Sequence, residues 1–156
     1  MSKILLSGVP GTGKSAIAKH IESNYDYFHV DMEQENYEPI YQLEKDQKGF
    51  LGKLAVHDNV LISWGFRPFI DTEAVNYMRE QGYSVIWLDG NRIASFREFM
   101  KREGNDPIME AKYYDQMRMV VVTGIVESLH PRIVNPFTDA GEFRPMDDIA
   151  KEIIEV

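Results

Sequence analysis

The length, composition and charge of the chain restrict its class. Its 156 residues fit a single domain, and a hydrophobic content of 44% supplies enough apolar side chains for a core. The formal net charge of −8 argues against a nucleic-acid partner, and the absence of cysteine excludes disulfides and thiolate metal sites. The chain shows no signal-peptide pattern and no apolar run of membrane-spanning length, so we expect a cytoplasmic protein without a membrane partner.

Apolar strands alternate with helical segments along the chain. Short apolar runs predict strands at 3–7, 27–31, 59–63, 84–88 and 132–134. Helices are predicted at 15–23, at 33–57 in several pieces, and at 71–81, 92–102, 110–129 and 146–154. This alternation is typical of an α/β protein whose parallel sheet is covered by helices on both faces. No repeat or linker divides the chain, so residues 1–156 are expected to form one domain.

The first strand runs directly into a glycine-rich stretch, GVPGTGKS, at residues 8–15. Its glycines permit backbone angles closed to other residues, and successive backbone N–H groups can form a concave nest for phosphate. The stretch fits G-x-x-x-x-G-K-[ST], the P-loop or Walker A motif, in which Lys14 reaches the β- and γ-phosphates and the Ser15 hydroxyl ligates Mg²⁺. The bland alternative is a glycine-rich turn that binds nothing. The order of strand, loop and helix favours the phosphate-binding interpretation.

The absence of one motif and the length of the chain exclude several classes of P-loop protein. No asparagine is followed by lysine, so the base-reading motif of GTPases is absent, and the chain is too short for an ATPase module with an added helical lid domain. The chain resembles the small P-loop kinases, which include nucleoside monophosphate kinases, shikimate kinase and gluconate kinase. The resemblance is strong at residues 8–15, moderate at 85–104 and loose elsewhere. It implies a three-layer αβα sandwich with a five-stranded sheet of order 2-3-1-4-5 and a short mobile lid.

The stretch VIWLDGNRIASFREFMKREG, residues 85–104, is similar to the part of gluconate kinase that runs from the fourth strand into the lid. Arg102 matches the lid arginine of that family, which implies that it stabilises the transferring phosphoryl group when the lid closes. Alternatively, Arg102 lies at the end of a helix only because its positive charge interacts favourably with the helix dipole. Residues 103–113 contain Gly104 and Pro107, a composition suited to a hinging lid.

WGFRP, residues 64–68, resembles the Asp-Gly-Phe-Pro-Arg turn of adenylate kinases with Arg and Pro exchanged. The resemblance implies that Arg67 binds the acceptor, whereas the alternative is a tight loop with Arg67 in solvent. The Asp of the family turn falls on Trp64, which removes the usual Walker B carboxylate.

Two aspartates are candidates for the carboxylate that binds the magnesium ion. Asp89 ends an apolar run as a Walker B acid does, yet Asp-Gly-Asn is equally a turn that caps the next helix. Asp31 stands at the carboxyl end of the second strand, where ligands bind in such sheets. The resemblance to shikimate kinase implies an acid there that faces both metal and acceptor hydroxyl. We therefore favour Asp31, although it could also cap the following segment with support from Glu33.

The acceptor is expected to bind at about residues 32–58. The stretch at 31–38 is acidic and aromatic, which favours a neutral hydroxylated acceptor, or one that stacks on Tyr37 or Tyr41, over a phosphate-bearing one. A solvated helix face is the alternative for these charges. Asn135 and Phe137 follow the last strand, where the resemblance implies contact with adenine.

These patterns predict a phosphotransferase that uses ATP and Mg²⁺ on a small-molecule acceptor, either a nucleotide or a hydroxylated metabolite. The expected catalytic residues are Lys14, Asp31 and Arg102. The expected ATP-binding residues are Gly8, Pro10, Gly11, Thr12, Gly13, Lys14, Ser15, Ala16, Asn135 and Phe137. The alternative is a P-loop ATPase switch or assembly factor with slow hydrolysis and no small acceptor. The oligomeric state stays open.

Overall fold

Five parallel strands form the centre of the chain, as predicted. In the computed structural model, which describes residues 1–67 and 71–155, the strands are β1 (Ser2–Gly8), β2 (Phe28–Asp31), β3 (Asn59–Ser63), β4 (Ser84–Leu88) and β5 (Arg132–Val134). Their order is β2-β3-β1-β4-β5, and all paired strands run parallel. The order that the family resemblance implied is therefore confirmed. Pro68, part of the turn singled out in the sequence, lies outside the described residues.

Helices cover both faces of the sheet. They are α1 (Lys14–Asn24), α2 (Glu38–Lys45), α3 (Gln47–Leu54), α4 (Thr72–Glu80), α5 (Arg92–Glu103), α6 (Pro107–Thr123), α7 (Ile125–Ser128) and α8 (Met146–Ile154), with a 3₁₀ turn at Glu35–Tyr37. Buried side chains of α1 and α8 share one core with the sheet, and those of α2 to α7 share the other. In the described part of the chain, no helix combines the length and apolarity needed to cross a membrane.

The central strand explains why the sheet needs both layers. Ile4 and Leu6 pack in the core beside α1 and α8, whereas Leu5 packs in the opposite core. Successive side chains of a strand point to opposite faces, so a strand buried on both faces is a continuous apolar run. All three side chains are almost fully buried. This burial fixes β1, and with it the start of the glycine-rich loop.

The predicted helix at 110–129 has different bounds in the structure. It begins three residues earlier, at Pro107, because the Asp106 side chain accepts a hydrogen bond from the Ile108 N–H and proline is well suited to the first helical position. It is interrupted at Gly124, whose φ of 61° lies in the left-handed region that ends helices. The predicted single helix is thus α6 followed by the short α7.

A polar cluster joins α1 to α8. The Asp147 carboxylate accepts hydrogen bonds from His20 Nε2 at 3.0 Å and from the Tyr25 hydroxyl at 2.7 Å, and Lys151 lies 3.3 Å away. These partners, His20 first, lower the pKa of Asp147 from its ordinary 3.8 to about 2. The same contact raises the pKa of Tyr25 to about 12. The cluster fastens the helix that follows the glycine-rich loop to the C-terminal helix.

Candidate active site

The glycine-rich loop has the geometry of a phosphate cradle. Gly11 and Gly13 have φ angles of 85° and 79°, in the left-handed region. The buried Thr12 hydroxyl donates to the Val9 carbonyl at 2.7 Å and holds the loop from inside. Within the described residues, no side chain caps α1 and no acid stands in its first turn. The first N–H groups of α1 and their partial positive charge are therefore well suited to an anion.

The cradle rests against α5. A Cβ atom built on Gly11 would lie 2.0 Å from the Ser95 carbonyl oxygen and 2.9 Å from the Phe99 amide nitrogen. The Ser95 hydroxyl in turn lies 2.7 Å from the hydroxyl of Tyr113 on α6. The loop, α5 and α6 thus form one packed unit, and the loop approaches α5 closely because position 11 has no side chain.

Lys14 lies among carboxylates at the open end of the cradle. Its ammonium nitrogen is 3.6 Å from Glu33 Oε1, and the same oxygen accepts a hydrogen bond from the Gly65 N–H at 2.8 Å. Burial lowers the pKa of Lys14 from its usual 10.5, while the charges of Glu33 and Asp31 act in the opposite direction and Arg102 lowers it further. A confined ammonium of this kind is stabilised when an anion binds to it.

Glu33 is the principal residue that the sequence interpretation missed, since it was considered only as a helper of a helix cap. The signal that was present is its position two residues beyond the end of β2, beside Asp31. The Asp31 carboxylate accepts a hydrogen bond from the Glu33 N–H at 3.0 Å, which turns the chain back at the strand end. The turn brings both acids to the carboxyl edge of the sheet, on the side of Lys14.

The Asp89 carboxylate is engaged in hydrogen bonds within its own turn. Its carboxylate accepts hydrogen bonds from the Gly90 N–H at 2.8 Å and from Arg92 Nη2 at 3.0 Å. The next residue, Asn91, is the N-cap of α5, where its side chain accepts from the Ala94 N–H at 2.9 Å. These contacts match the interpretation of Asp89 as part of a turn before a helix.

Arg102 lies near the end of α5, close enough to Lys14 to affect the pKa of that lysine. Its side chain is 61% exposed, pairs with Glu103 at 3.0 Å and lies 5.3 Å from the Phe99 ring centre. The chain then turns at Gly104 and enters α6 at Pro107, so residues 107–113 of the predicted lid are helical. Tyr113, the last residue of that predicted lid, is buried against α5.

The arginine that follows β3 is paired with two acids. Arg67 donates from Nε and Nη2 to the buried Asp71 carboxylate at 3.2 and 3.1 Å, and Glu44 lies 3.6 Å from Nη2. Glu44 and Asp71 also line a cavity of about 90 Å³ that Trp64 and Leu43 help to form. Trp64 itself is buried in the core, so this position supplies packing where the adenylate kinase turn has a carboxylate.

The loop after β5 carries an exposed aromatic ring that the sequence did not single out. Phe137 is only 3% exposed, because Phe143 stacks over it with ring centres 4.8 Å apart. Phe143 is 42% exposed, and its ring edge lies 3.2 Å from a Cβ atom built on Gly13. The Asn135 side chain accepts from the Phe137 N–H at 3.0 Å and so shapes this loop. Phe143 is therefore the ring that borders the cradle.

The donor set fits a magnesium ion that is held mostly by phosphate and water. Ser15 is exposed in the first turn of α1, and Asp31 supplies a carboxylate at the neighbouring sheet edge. In the described residues, no three carboxylate or histidine side chains converge on one point. Magnesium in nucleotide sites takes one or two protein oxygens together with phosphates and waters, and Ser15 and Asp31 are the candidates for these oxygens.

Comparisons with known proteins agree with this architecture. No protein-family model and no curated protein sequence matches the chain. Among solved structures, a shikimate kinase from Bacteroides thetaiotaomicron matches 99% of this chain and 99% of its own, with 18% identity and a TM-score of 0.63. The YorR protein of Bacillus subtilis, solved with phosphorylated GDP, matches 99% of this chain over 94% of its own, with 17% identity and a TM-score of 0.64. A gluconokinase from Sinorhizobium meliloti 1021 matches 99% of this chain over 90% of its own, with 15% identity and a TM-score of 0.57.

The chain therefore has the fold of the small P-loop kinases, as the resemblance in the sequence implied. At 14–18% identity, the shared property is the fold.

Proposed function

We propose that this protein is a kinase that transfers the γ-phosphoryl group of ATP, in the presence of Mg²⁺, to a hydroxyl group of a small molecule. The observation that carries the proposal is the position of Lys14. It stands at the mouth of a phosphate cradle and beside the acids at the end of β2 and just after it, Asp31 and Glu33. A phosphate-binding loop and a carboxylate for the acceptor thus share one site, which in-line phosphoryl transfer requires.

Each residue at this site has a role that its position supports. The loop amides and Lys14 bind the β- and γ-phosphates. Ser15 and Asp31 would hold the magnesium ion, which when bound would offset charge on the phosphates. Asp31 also orients the acceptor hydroxyl from the end of β2. Arg102 reaches the transferring group from the end of α5, where a guanidinium stabilises charge in the transition state.

We propose a neutral hydroxylated acceptor rather than a phosphate-bearing one. The guanidinium of Arg67 is bound by Asp71 and Glu44, so its charge is already neutralised. Asp31 and Glu33 add negative charge on the same side of the site, and this charge opposes an anionic acceptor. On the opposite side, Phe143 offers an exposed face beside the cradle for the nucleotide base, a role that the sequence had given to Phe137.

The test is ADP production from MgATP with a panel of acceptors that includes neutral sugars, polyols, nucleosides and nucleoside monophosphates. We expect at least one neutral acceptor to stimulate ADP release, together with a phosphorylated product of matching mass. Lys14→Ala should remove most of this activity while the fold is retained. Lys19→Ala, a loss of the same charge on the exposed face of the same helix, should not.

Failure of every acceptor, together with slow ATP hydrolysis that depends on Lys14, would support the alternative of a P-loop ATPase switch. Full turnover in Lys14→Ala would show that the glycine-rich loop is not the phosphate site.

A further inference from the structure

We propose that Glu33 is a latch that occupies Lys14 until a nucleotide phosphate takes its place. The inference rests on the proposed function, in which Lys14 binds phosphate. One oxygen of the Glu33 carboxylate contacts both Lys14 Nζ, at 3.6 Å, and the Gly65 N–H, at 2.8 Å. An anion thus already stands at the ammonium that the proposed function assigns to phosphate.

The path of the Glu33 side chain explains how this contact arises. Glu33 follows β2, and β2 is separated from β1 and its loop by β3. The side chain therefore passes over the chain just beyond the end of β3, at Gly65, to reach Lys14. A Cβ atom on Gly65 would lie 2.8 Å from Glu33 Oε1 and 2.9 Å from Lys14 Nζ. The crossing is open because position 65 carries no side chain.

The backbone N–H of Gly65 makes the pair more ordered than a typical surface ion pair. Since the carboxylate of Glu33 is already held by this N–H, its pairing with Lys14 costs less side-chain entropy. The pair is still partly open to water, with side chains 19% and 39% exposed for Lys14 and Glu33. Such a pair reduces the affinity of a competing anion modestly and does not block the site.

In this proposal carboxylate and phosphate compete for one ammonium, and binding of nucleotide separates Lys14 from Glu33. After the exchange, Lys14 is bound to phosphate and Glu33 keeps its hydrogen bond to Gly65. The latch therefore shields the lysine in the empty protein at the expense of nucleotide affinity. Removing the latch should increase the affinity for the nucleotide alone, in the absence of any acceptor.

The experiment measures the affinity of the full chain for ADP with Mg²⁺ by titration calorimetry. Glu33→Gln keeps the size of the side chain and removes its charge, and it should bind ADP about two- to fivefold more tightly, the range expected for loss of a partly exposed ion pair. Glu38→Gln is the control. It removes an exposed acid from the same stretch, and in the described structure it has no contact with Lys14.

Wild-type affinity in Glu33→Gln would overturn the latch, and so would weaker binding by this variant. Equal tightening in Glu38→Gln would assign the effect to net charge and would also overturn it. If the wild type binds ADP through Lys14 and Glu33→Gln does not differ from it, only the latch fails. If the wild type does not bind ADP, or if Lys14→Ala binds equally well, the proposed function fails and the latch fails with it.

Discussion

Substitution of Gly11 by alanine tests whether the phosphate loop depends on its contact with α5. The new methyl group would lie 2.0 Å from the Ser95 carbonyl oxygen and 2.9 Å from the Phe99 amide nitrogen. Both are backbone atoms of a packed helix, so neither can rotate away. Either α5 or the loop must move, and movement of the loop would distort the proposed phosphate cradle.

The expected cost has two parts. Alanine in the left-handed region costs about 1–2 kcal/mol, and forcing an extra methyl group into a packed interior costs about 1–3 kcal/mol. Together they give a loss of about 2–5 kcal/mol in the free energy of unfolding. Gly104 supplies a matched control, since its φ is also 85° but nothing lies within 4 Å of its Cβ position. Gly104→Ala should therefore cost only the first part, about 1–2 kcal/mol.

Urea denaturation followed by tryptophan fluorescence measures both losses, because Trp64 and Trp87 are buried in the core. ADP affinity, measured in parallel, should fall in Gly11→Ala and stay at the wild-type value in Gly104→Ala. Equal stability and equal ADP affinity in the two variants would refute the argument that α5 supports the loop.

Further substitutions address the remaining assignments. Asp31→Asn should reduce the rate of acceptor phosphorylation by orders of magnitude, with nearly unchanged ADP affinity. Asp89→Asn should mainly lower the melting temperature. The reverse pattern would favour the Walker B interpretation of Asp89. Arg102→Ala should lower kcat more than ATP affinity, because its contact strengthens in the transition state. Residues 103–112 should gain hydrogen-exchange protection when nucleotide and acceptor bind together, and equal protection in both states would contradict a lid there. Because the pKa of Asp147 is about 2 instead of 3.8, its contacts stabilise the protein above about pH 4 and are lost as the pH falls towards 2. In thermal denaturation, the deficit of Asp147→Asn should therefore be present at pH 7 and shrink over that acidic range, and a deficit independent of pH would contradict this assignment.

The strands and the phosphate loop could be predicted from the sequence because their signals are local. The bounds of β3, β4 and β5 match the prediction, since each is a short apolar run between polar or turn-forming residues. The glycines, lysine and serine of residues 8–15 are consecutive, so their relation does not depend on the rest of the fold. The limits of α6 are also marked locally, by Asp106, Pro107 and Gly124, although the predicted helix extended from 110 to 129.

The tertiary structure decided which residues meet Lys14. Glu33 contacts it only because β3 lies between β2 and β1 and is followed, two residues beyond its end, by a glycine that leaves the crossing open. In the same way, Phe143 covers Phe137 through a loop that returns on itself, and Glu44 on α2 approaches the guanidinium of Arg67. These contacts join side chains whose neighbours in sequence carry no sign of the partner. Periodicity and motif spacing describe the order of residues within one element, whereas a site at the edge of a sheet depends on how separate elements are placed side by side.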